Sequence, residues 1–281
     1  MTMGPRDEAY LSGSYRPEEA AGGMADELAR LHSQVELSWS EEVRLLHSLG
    51  LTDGMAIVEL GAGPGFVTER LLGLLPSSQV CAVDVRADLL AEAERRLGRI
   101  EGARLELRQA SAAETGLPGD RFDLVIARFL FQHLEDPLAA AKEAYRLLRP
   151  GGRLVVIDMD AALWGLAEPF SPALQPILAK AERLQLERGG NRLMGRYLPR
   201  LLETAGFERA RLEAFIYHSD ALGIEAFRAQ MSPARLLPAL RRSLISQAEY
   251  DLVVAEHERF FESPLSFVLM VGLLAHGVHP R

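Results

Sequence analysis

A single cysteine, Cys81, in a chain of 281 residues excludes an internal disulfide and gives no sign of an oxidising compartment. It falls in a run that reads as a buried strand, where a thiol serves as a small hydrophobe. Lysine is almost missing: Lys142 and Lys180 are the only two, and every other basic side chain is arginine. Positive charge is in deficit overall, 31 Lys and Arg against 39 Asp and Glu, for a net charge of −8. That balance argues against a nucleic-acid-binding surface, because affinity for phosphates comes from clustered cations. Long apolar runs are lacking too. The strongest, residues 267–275, is shorter than the about 20 residues a bilayer crossing needs, and residues 1–16 lack the apolar centre of a signal peptide. Neither H-x-x-x-H nor C-x-x-C occurs, so no metal is expected. No internal repeat is evident. The expectation is a cytoplasmic chain, monomer or homodimer, with neither nucleic acid nor membrane as partner.

What the sequence does contain is ample material for a core, 48% of residues being hydrophobic. Strand and helix patterns alternate through its first half. Residues 56–60, 79–85, 103–108, 122–127 and 152–157 read as strands, with helices at 66–72, 88–97 and 138–148 between them. Such alternation implies right-handed crossovers and a doubly wound parallel sheet, with ligands bound beyond the carboxyl ends of the strands. Before it come an irregular arm to about residue 23 and two helices, 24–37 and 39–49. Ser38 with Glu41 suggests a capping box for the second, and Gly50 a C-terminal cap. After it come a helix to about 187, another at 196–205, a sixth strand at 207–217, helical pattern over 220–262, and a last strand at 265–274. The expected division is an N-terminal cover, 1–50, and a ligand-binding domain, 51–281, carrying a helical insertion at about 220–262.

Between the first strand and its helix stands Glu59-Leu60-Gly61-Ala62-Gly63-Pro64-Gly65. Alternating glycines let the backbone close tightly around a ligand and adopt positive φ. The spacing is wrong for a dinucleotide fingerprint, since the sixth position is Phe66 and the fourth Pro64, and no Gly-Lys-Ser/Thr follows for a P-loop. Asp84 ends the second strand about twenty residues on, where a carboxylate can accept both vicinal ribose hydroxyls, or else cap the next helix.

This E-x-G-x-G-x-G turn closely resembles the first motif of class I S-adenosylmethionine-dependent methyltransferases of the small-molecule type. The resemblance is strong over residues 51–158 and weaker to Phe207. It implies a Rossmann-like, doubly wound, mostly parallel seven-stranded sheet with helices on both faces, and S-adenosylmethionine as cofactor. By the same resemblance the cofactor contacts are Glu59, Gly61, Ala62, Gly63, Gly65, Asp84 and Val85. Ser111 and Ala112 would face the adenine, Ser111 replacing the family's usual aspartate, and Arg128 would line the methionine by its backbone. Tyr15 and Gln34, with Tyr10 and Trp39, are candidates for a cover over the cofactor. His133 lies in Arg128-Phe-Leu-Phe-Gln-His-Leu-Glu-Asp-Pro137, similar to the family's post-strand segment, and is the candidate base; a cap of the local helix is the other reading. Asp158 and Asp160 could orient an acceptor, and His218 is a further candidate. The implied reaction is methyl transfer to an O, N or C nucleophile of a small molecule. A cofactor-binding protein without that activity stays open, and a nicotinamide oxidoreductase is disfavoured by Pro64 and Phe66.

Overall fold

The computed structural model describes residues 13–17, 23–98, 104–163 and 165–281. Its first long element is a single helix, α1 (Met24–Ser48), where two were expected. Ser38 does not cap a second helix. Its hydroxyl instead reaches Gln34 O at 3.4 Å and Glu42 Oε1 at 2.6 Å within one continuous helix, and no glycine or proline nearby forces a break. The expected stop at Gly50 is present. Its φ of +98° is accompanied by Gly50 N–H to His47 O (3.0 Å) and Leu51 N–H to Leu46 O (2.9 Å), the paired bonds of a Schellman ending.

β1 (Ala56–Leu60), α2 (Phe66–Leu74), β2 (Gln79–Asp84), α3 (Ala87–Leu97), β3 (Leu105–Gln109), β4 (Phe122–Arg128), α4 (Pro137–Leu147) and β5 (Leu148–Asp158) follow. β1 to β5 are parallel, in the order β3-β2-β1-β4-β5. The chain continues through β6 (Gly165–Glu168), α5 (Gln175–Glu187), α6 (Leu198–Thr204), β7 (Glu208–His218), α7 (Gln247–Glu262) and β8 (Phe267–Val278). β8 is antiparallel to β5, β6 and β7. Residues 273–278 of β8 pair with both β5 and β7, while 269–270 pair with both β6 and β7. β6 is therefore a short strand that prolongs the line of β5 along one side of β8, and it makes the sheet eight-stranded rather than seven.

Alternation along each central strand sends side chains to two cores. Val58, Leu60, Val125, Ala127, Leu154 and Val156 pack with Ala140, Ala144 and Leu147 of α4 and Leu198 and Leu202 of α6. Ile57, Leu124, Ile126, Val155 and Ile157 pack with α2 and with Val35 and Leu46 of α1. Cys81 is buried in β2. The helical pattern expected over 220–262 is broken up to residue 241 into short turns, because Gly223, Pro233 and Pro238 interrupt it. Only α7 is long, and it opens with a Ser246–Glu249 capping box. No described helix is long and apolar enough to cross a membrane.

Candidate active site

The carboxyl ends of β1, β2 and β4 open on a cavity of about 590 Å³. At its floor Gly61 N–H and Ala62 N–H both donate to Val83 O, at 2.8 and 3.0 Å, locking the glycine turn to β2. Gly61 has φ +74°, and a Cβ there would meet three side-chain atoms of Leu130 at 3.0–3.2 Å. Gly65 has φ +79°, with Leu97 Cδ1 2.8 Å from where its Cβ would stand. Gly63 N–H points at Asp84, donating to Oδ2 at 2.7 Å, while Arg86 N–H donates to Oδ1 at 2.9 Å. Each carboxylate oxygen so keeps capacity for one further bond. The N-cap position of α3 is Arg86, with no side-chain cap, so Asp84 is free of the capping role. Burial raises the Asp84 pKa against the pull of those two N–H groups. Glu59, 3% exposed, takes the Thr68 hydroxyl at 2.5 Å; burial, with the Asp84 charge adding to it, pushes it up to about 7 against the pull of Thr68 and Arg128.

Gly61, Ala62, Gly63, Asp84, Val85, Arg128, Tyr15, Gln34 and His133 all line this cavity with Glu59, whereas Gly65 lies behind the turn against α3. The Arg128 side chain does something its sequence context did not suggest. It binds Glu42 of α1 through Nε (2.9 and 3.0 Å) and Nη2 (2.9 Å), and donates to Gln34 O and Ser38 Oγ at 2.9 Å each. Next to it Phe129 holds φ +50°, an uncommon conformation for an aromatic residue at a cavity wall.

His133 shares a hydrogen bond with Ser14 through Nδ1 and Oγ (2.7 Å) and lies 5.4 Å, ring to ring, from Tyr15. Burial lowers its pKa to about 3, with Arg192 and Arg30 adding to the shift, so the imidazole is neutral at physiological pH. The Tyr15 hydroxyl donates to Glu27 Oε1 (2.7 Å), whose carboxylate also binds Arg30 Nε (2.8 Å) and Nη2 (2.7 Å); burial raises the Tyr15 pKa.

Other candidates lie elsewhere. Ser111 and Ala112 do not line the cavity; the Ser111 hydroxyl accepts Ala113 N–H at 3.2 Å inside its own turn. Asp158 is fully buried and accepts Gln132 N–H (2.9 Å) and Met159 N–H (2.8 Å), bracing the turn that carries His133. Asp160 pairs with Arg196, Trp39 packs against the second core and His218 lies beside Phe267, none of them on the cavity wall. Tyr10 lies outside the described residues. Absent from the sequence reading were Arg30, Arg192, Arg235, Gln132 and Gln185, which line the cavity, and Glu42. They come from four separate stretches with no shared spacing, so no local signal marked them.

The donor set fits an adenosyl cofactor: an acidic residue beyond β2 held by backbone N–H groups with capacity for further bonds, a turn whose glycines leave no side chain in the way, and a half-open cavity of about 590 Å³. Residues 58–156 match the family model described as a methyltransferase domain. A ubiquinone/menaquinone biosynthesis C-methyltransferase of Hahella chejuensis is 31% identical over 134 residues, covering 47% of this chain and 49% of the other. A trans-aconitate 2-methyltransferase of Azoarcus is 34% identical, over 40% of this chain and 42% of that one. The Haemonchus contortus phosphoethanolamine N-methyltransferase 2, solved with phosphomonomethylethanolamine and S-adenosylhomocysteine, shares the fold at a TM-score of 0.56. It is 19% identical, covering 86% of this chain and 53% of that one. The chain spans about half the length of the curated relatives it matches. Residues 58–156 therefore carry a methyltransferase domain, and the glycine turn and fold around it are similar to those of class I S-adenosylmethionine-dependent methyltransferases.

Proposed function

We propose that the chain transfers a methyl group from S-adenosylmethionine to an O, N or C nucleophile of a small organic molecule. The observation that carries this is Asp84, braced by the N–H groups of Gly63 and Arg86, on the floor of the cavity that also holds the glycine turn and His133. When bound, the cofactor supplies a methyl group already activated on a sulfonium, which leaves as a neutral thioether. The chain then has three tasks: hold the cofactor, align the acceptor and exclude water.

Asp84 accepts the vicinal ribose hydroxyls, with Val85 and the Gly61–Ala62–Gly63 backbone beside it, while Glu59 and the Arg128 backbone serve the methionine end. Tyr15 and Gln34 cover the opening from the N-terminal side. Leu89 and Val85, rather than Ser111 and Ala112, are the wall residues near Asp84 that suit an adenine ring. In the tautomer whose Nδ1–H donates to Ser14 Oγ, Nε2 is the nitrogen with a lone pair to take a proton from the acceptor. Residues 13–16 and the first turns of α1 act as a cover, and the insertion at 220–262 supplies the far wall through Ala229, Ser232, Ala234, Arg235 and Pro238. We place the protein in the cytoplasm, as monomer or homodimer and with no nucleic-acid partner, on its free buried Cys81 and net charge of −8.

Calorimetric titration with S-adenosylmethionine, S-adenosylhomocysteine and NAD tests the cofactor, and tight binding of NAD alone overturns the reading. A metabolite-extract screen for mass gain of one methyl, with release of S-adenosylhomocysteine, tests the transfer. No release with any acceptor favours a cofactor-binding protein of other activity.

A further inference from the structure

Six arginines but only four carboxylates contribute to the cavity wall. Three of the arginines have a carboxylate close by: Arg30 with Glu27 (2.7 Å), Arg86 with Asp88 (2.8 Å) and Arg128 with Glu42 (2.9 Å). Arg16 donates to the Gly13 and Tyr15 carbonyls, Arg192 has only the long approach of Glu182, and Arg235 has no carboxylate partner among the described residues. Arg192 Nη1 donates only to the amide oxygen of Gln185 (3.3 Å); its Nε stands 3.9 Å from Glu182 and, though buried, has no hydrogen-bond partner among the described residues. Arg235 Nη1 donates to the Gln230 carbonyl (2.6 Å), no described carboxylate pairs with it, and its side chain, exposed overall, contributes to the cavity wall.

These guanidinium groups sit close enough to Arg30 to act on one another. After burial, Arg30 and Arg192 are the causes that lower the Arg235 pKa, to about 9, and Glu27 is the only carboxylate opposing them. Glu27 is already engaged with Arg30 and Tyr15. Like charges that face one half-open cavity with few carboxylates among them repel one another, and an anion seated among them offsets that repulsion. Arg192 and Arg235 come from the segment after β5 and from the insertion before β8, not from the β1, β2 and β4 ends that build the glycine turn. Arg192 also belongs to the His133 side: Gln185, which binds it, reaches His133 Nδ1 at 3.4 Å.

We infer that the methyl acceptor carries an oxyanion, a carboxylate or a phosphate, and that Arg192 and Arg235 hold it beside His133, an inference that rests on the methyl-transfer reading above. Arg forks match both anions by paired N–H bonds, and the site has two such forks to offer. The methionine carboxylate of the cofactor is the competing anion, and the experiment has to separate the two.

The test is calorimetric titration of the full chain, loaded with S-adenosylhomocysteine, with inorganic phosphate in one arm and propane-1,2,3-tricarboxylate in the other. Wild type is compared with Arg192→Gln, Arg235→Gln, the charge-keeping Arg192→Lys and the surface control Arg95→Gln. The expected result is anion binding to wild type and to Arg95→Gln, weakened about tenfold in each Gln variant, with S-adenosylhomocysteine affinity held within about twofold. Arg192→Lys is expected to fall between. The tighter of the two anions assigns the acceptor group. Should Arg192→Gln fail to fold, Arg235→Gln and Arg192→Lys carry the comparison. Loss of S-adenosylhomocysteine affinity with anion binding intact would mean that the arginines serve the cofactor's own carboxylate, and it overturns the inference; so does failure of both anions to bind. Failure of wild type to bind S-adenosylhomocysteine is a separate result, removing the methyl-transfer reading itself.

Discussion

Arg128 at the end of β4 and Glu42 in the middle of α1 form a buried two-pronged ion pair, their side chains 6% and 1% exposed. It fastens the N-terminal helix to the sheet at the edge of the cavity, 86 residues away in sequence. Removing one partner leaves the other charge buried and alone, which is far more damaging than losing a surface pair. Glu42→Gln is expected to cost about 3 kcal/mol or more of unfolding free energy in urea titrations. The double variant Glu42→Leu/Arg128→Met is expected to recover most of it, because an apolar pair of similar volume has no desolvation penalty.

Asp84 is positioned by backbone N–H groups rather than by a cation, so its substitution tests the cofactor site with little disturbance of charge pairing. Asp84→Asn is expected to weaken S-adenosylhomocysteine binding by about 1 to 3 kcal/mol, the loss associated with hydrogen bonds to a charged group. Calorimetry reads it directly, and unchanged affinity would remove the ribose assignment.

Gly65 separates a conformational requirement from a ligand contact. Its positive φ strains any side chain, and a Cβ would stand 2.8 Å from Leu97 and 3.0 Å from Ala93. Gly65→Ala is expected to destabilise by about 1 to 3 kcal/mol through left-handed strain and overpacking, seen as a lower urea midpoint with unchanged slope.

Two carboxylates and one imidazole push stability in opposite directions with pH. Glu59 and Asp158 are both raised to about 7 by burial, so between the ordinary carboxylate range and pH 7 the folded state holds more protons than the unfolded chain. Stability contributed by them falls as pH rises through that window. His133, lowered to about 3, works the other way between pH 3 and 6.5: the unfolded chain binds the extra proton, and stability falls as pH drops. Unfolding curves of Glu59→Gln and His133→Gln against wild type, from pH 4 to 8, are expected to differ in slopes of opposite sign.

His133 is neutral in the free protein, with the charges of Arg192 and Arg30 helping to keep it so. An oxyanion on Arg192 would offset part of that field. Its imidazole resonance is expected to show no titration between pH 5 and 8 in the free protein and a higher apparent pKa in the presence of a bound oxyanion. His133→Ala is expected to lower turnover far more than cofactor affinity; equal loss of both would reduce His133 to a support of the loop.

The doubly wound order, the Gly61–Gly65 turn and Asp84 beyond β2 were legible because each depends on local chemistry: period-two apolar strands, glycine at positive φ, an acidic residue at a strand end. Local signals misled at Ser38, where a capping pattern exists but the hydroxyl donates to Glu42 and accepts from Arg128, and over 220–262, where prolines divide a helical pattern into turns. Ser111 matched a family position by spacing, yet its turn folds the hydroxyl back on Ala113.

What the sequence by itself determined is the framework and the cofactor turn, since both are written within runs of about ten residues and need no distant partner. Only the tertiary structure decided that Glu42 answers Arg128, that Ser14 holds His133, and that Arg30, Arg192 and Arg235 converge on one cavity. The reason is physical: charge pairing and desolvation depend on distance in space, and residues some 40 to 200 positions apart become neighbours only when the sheet has placed them.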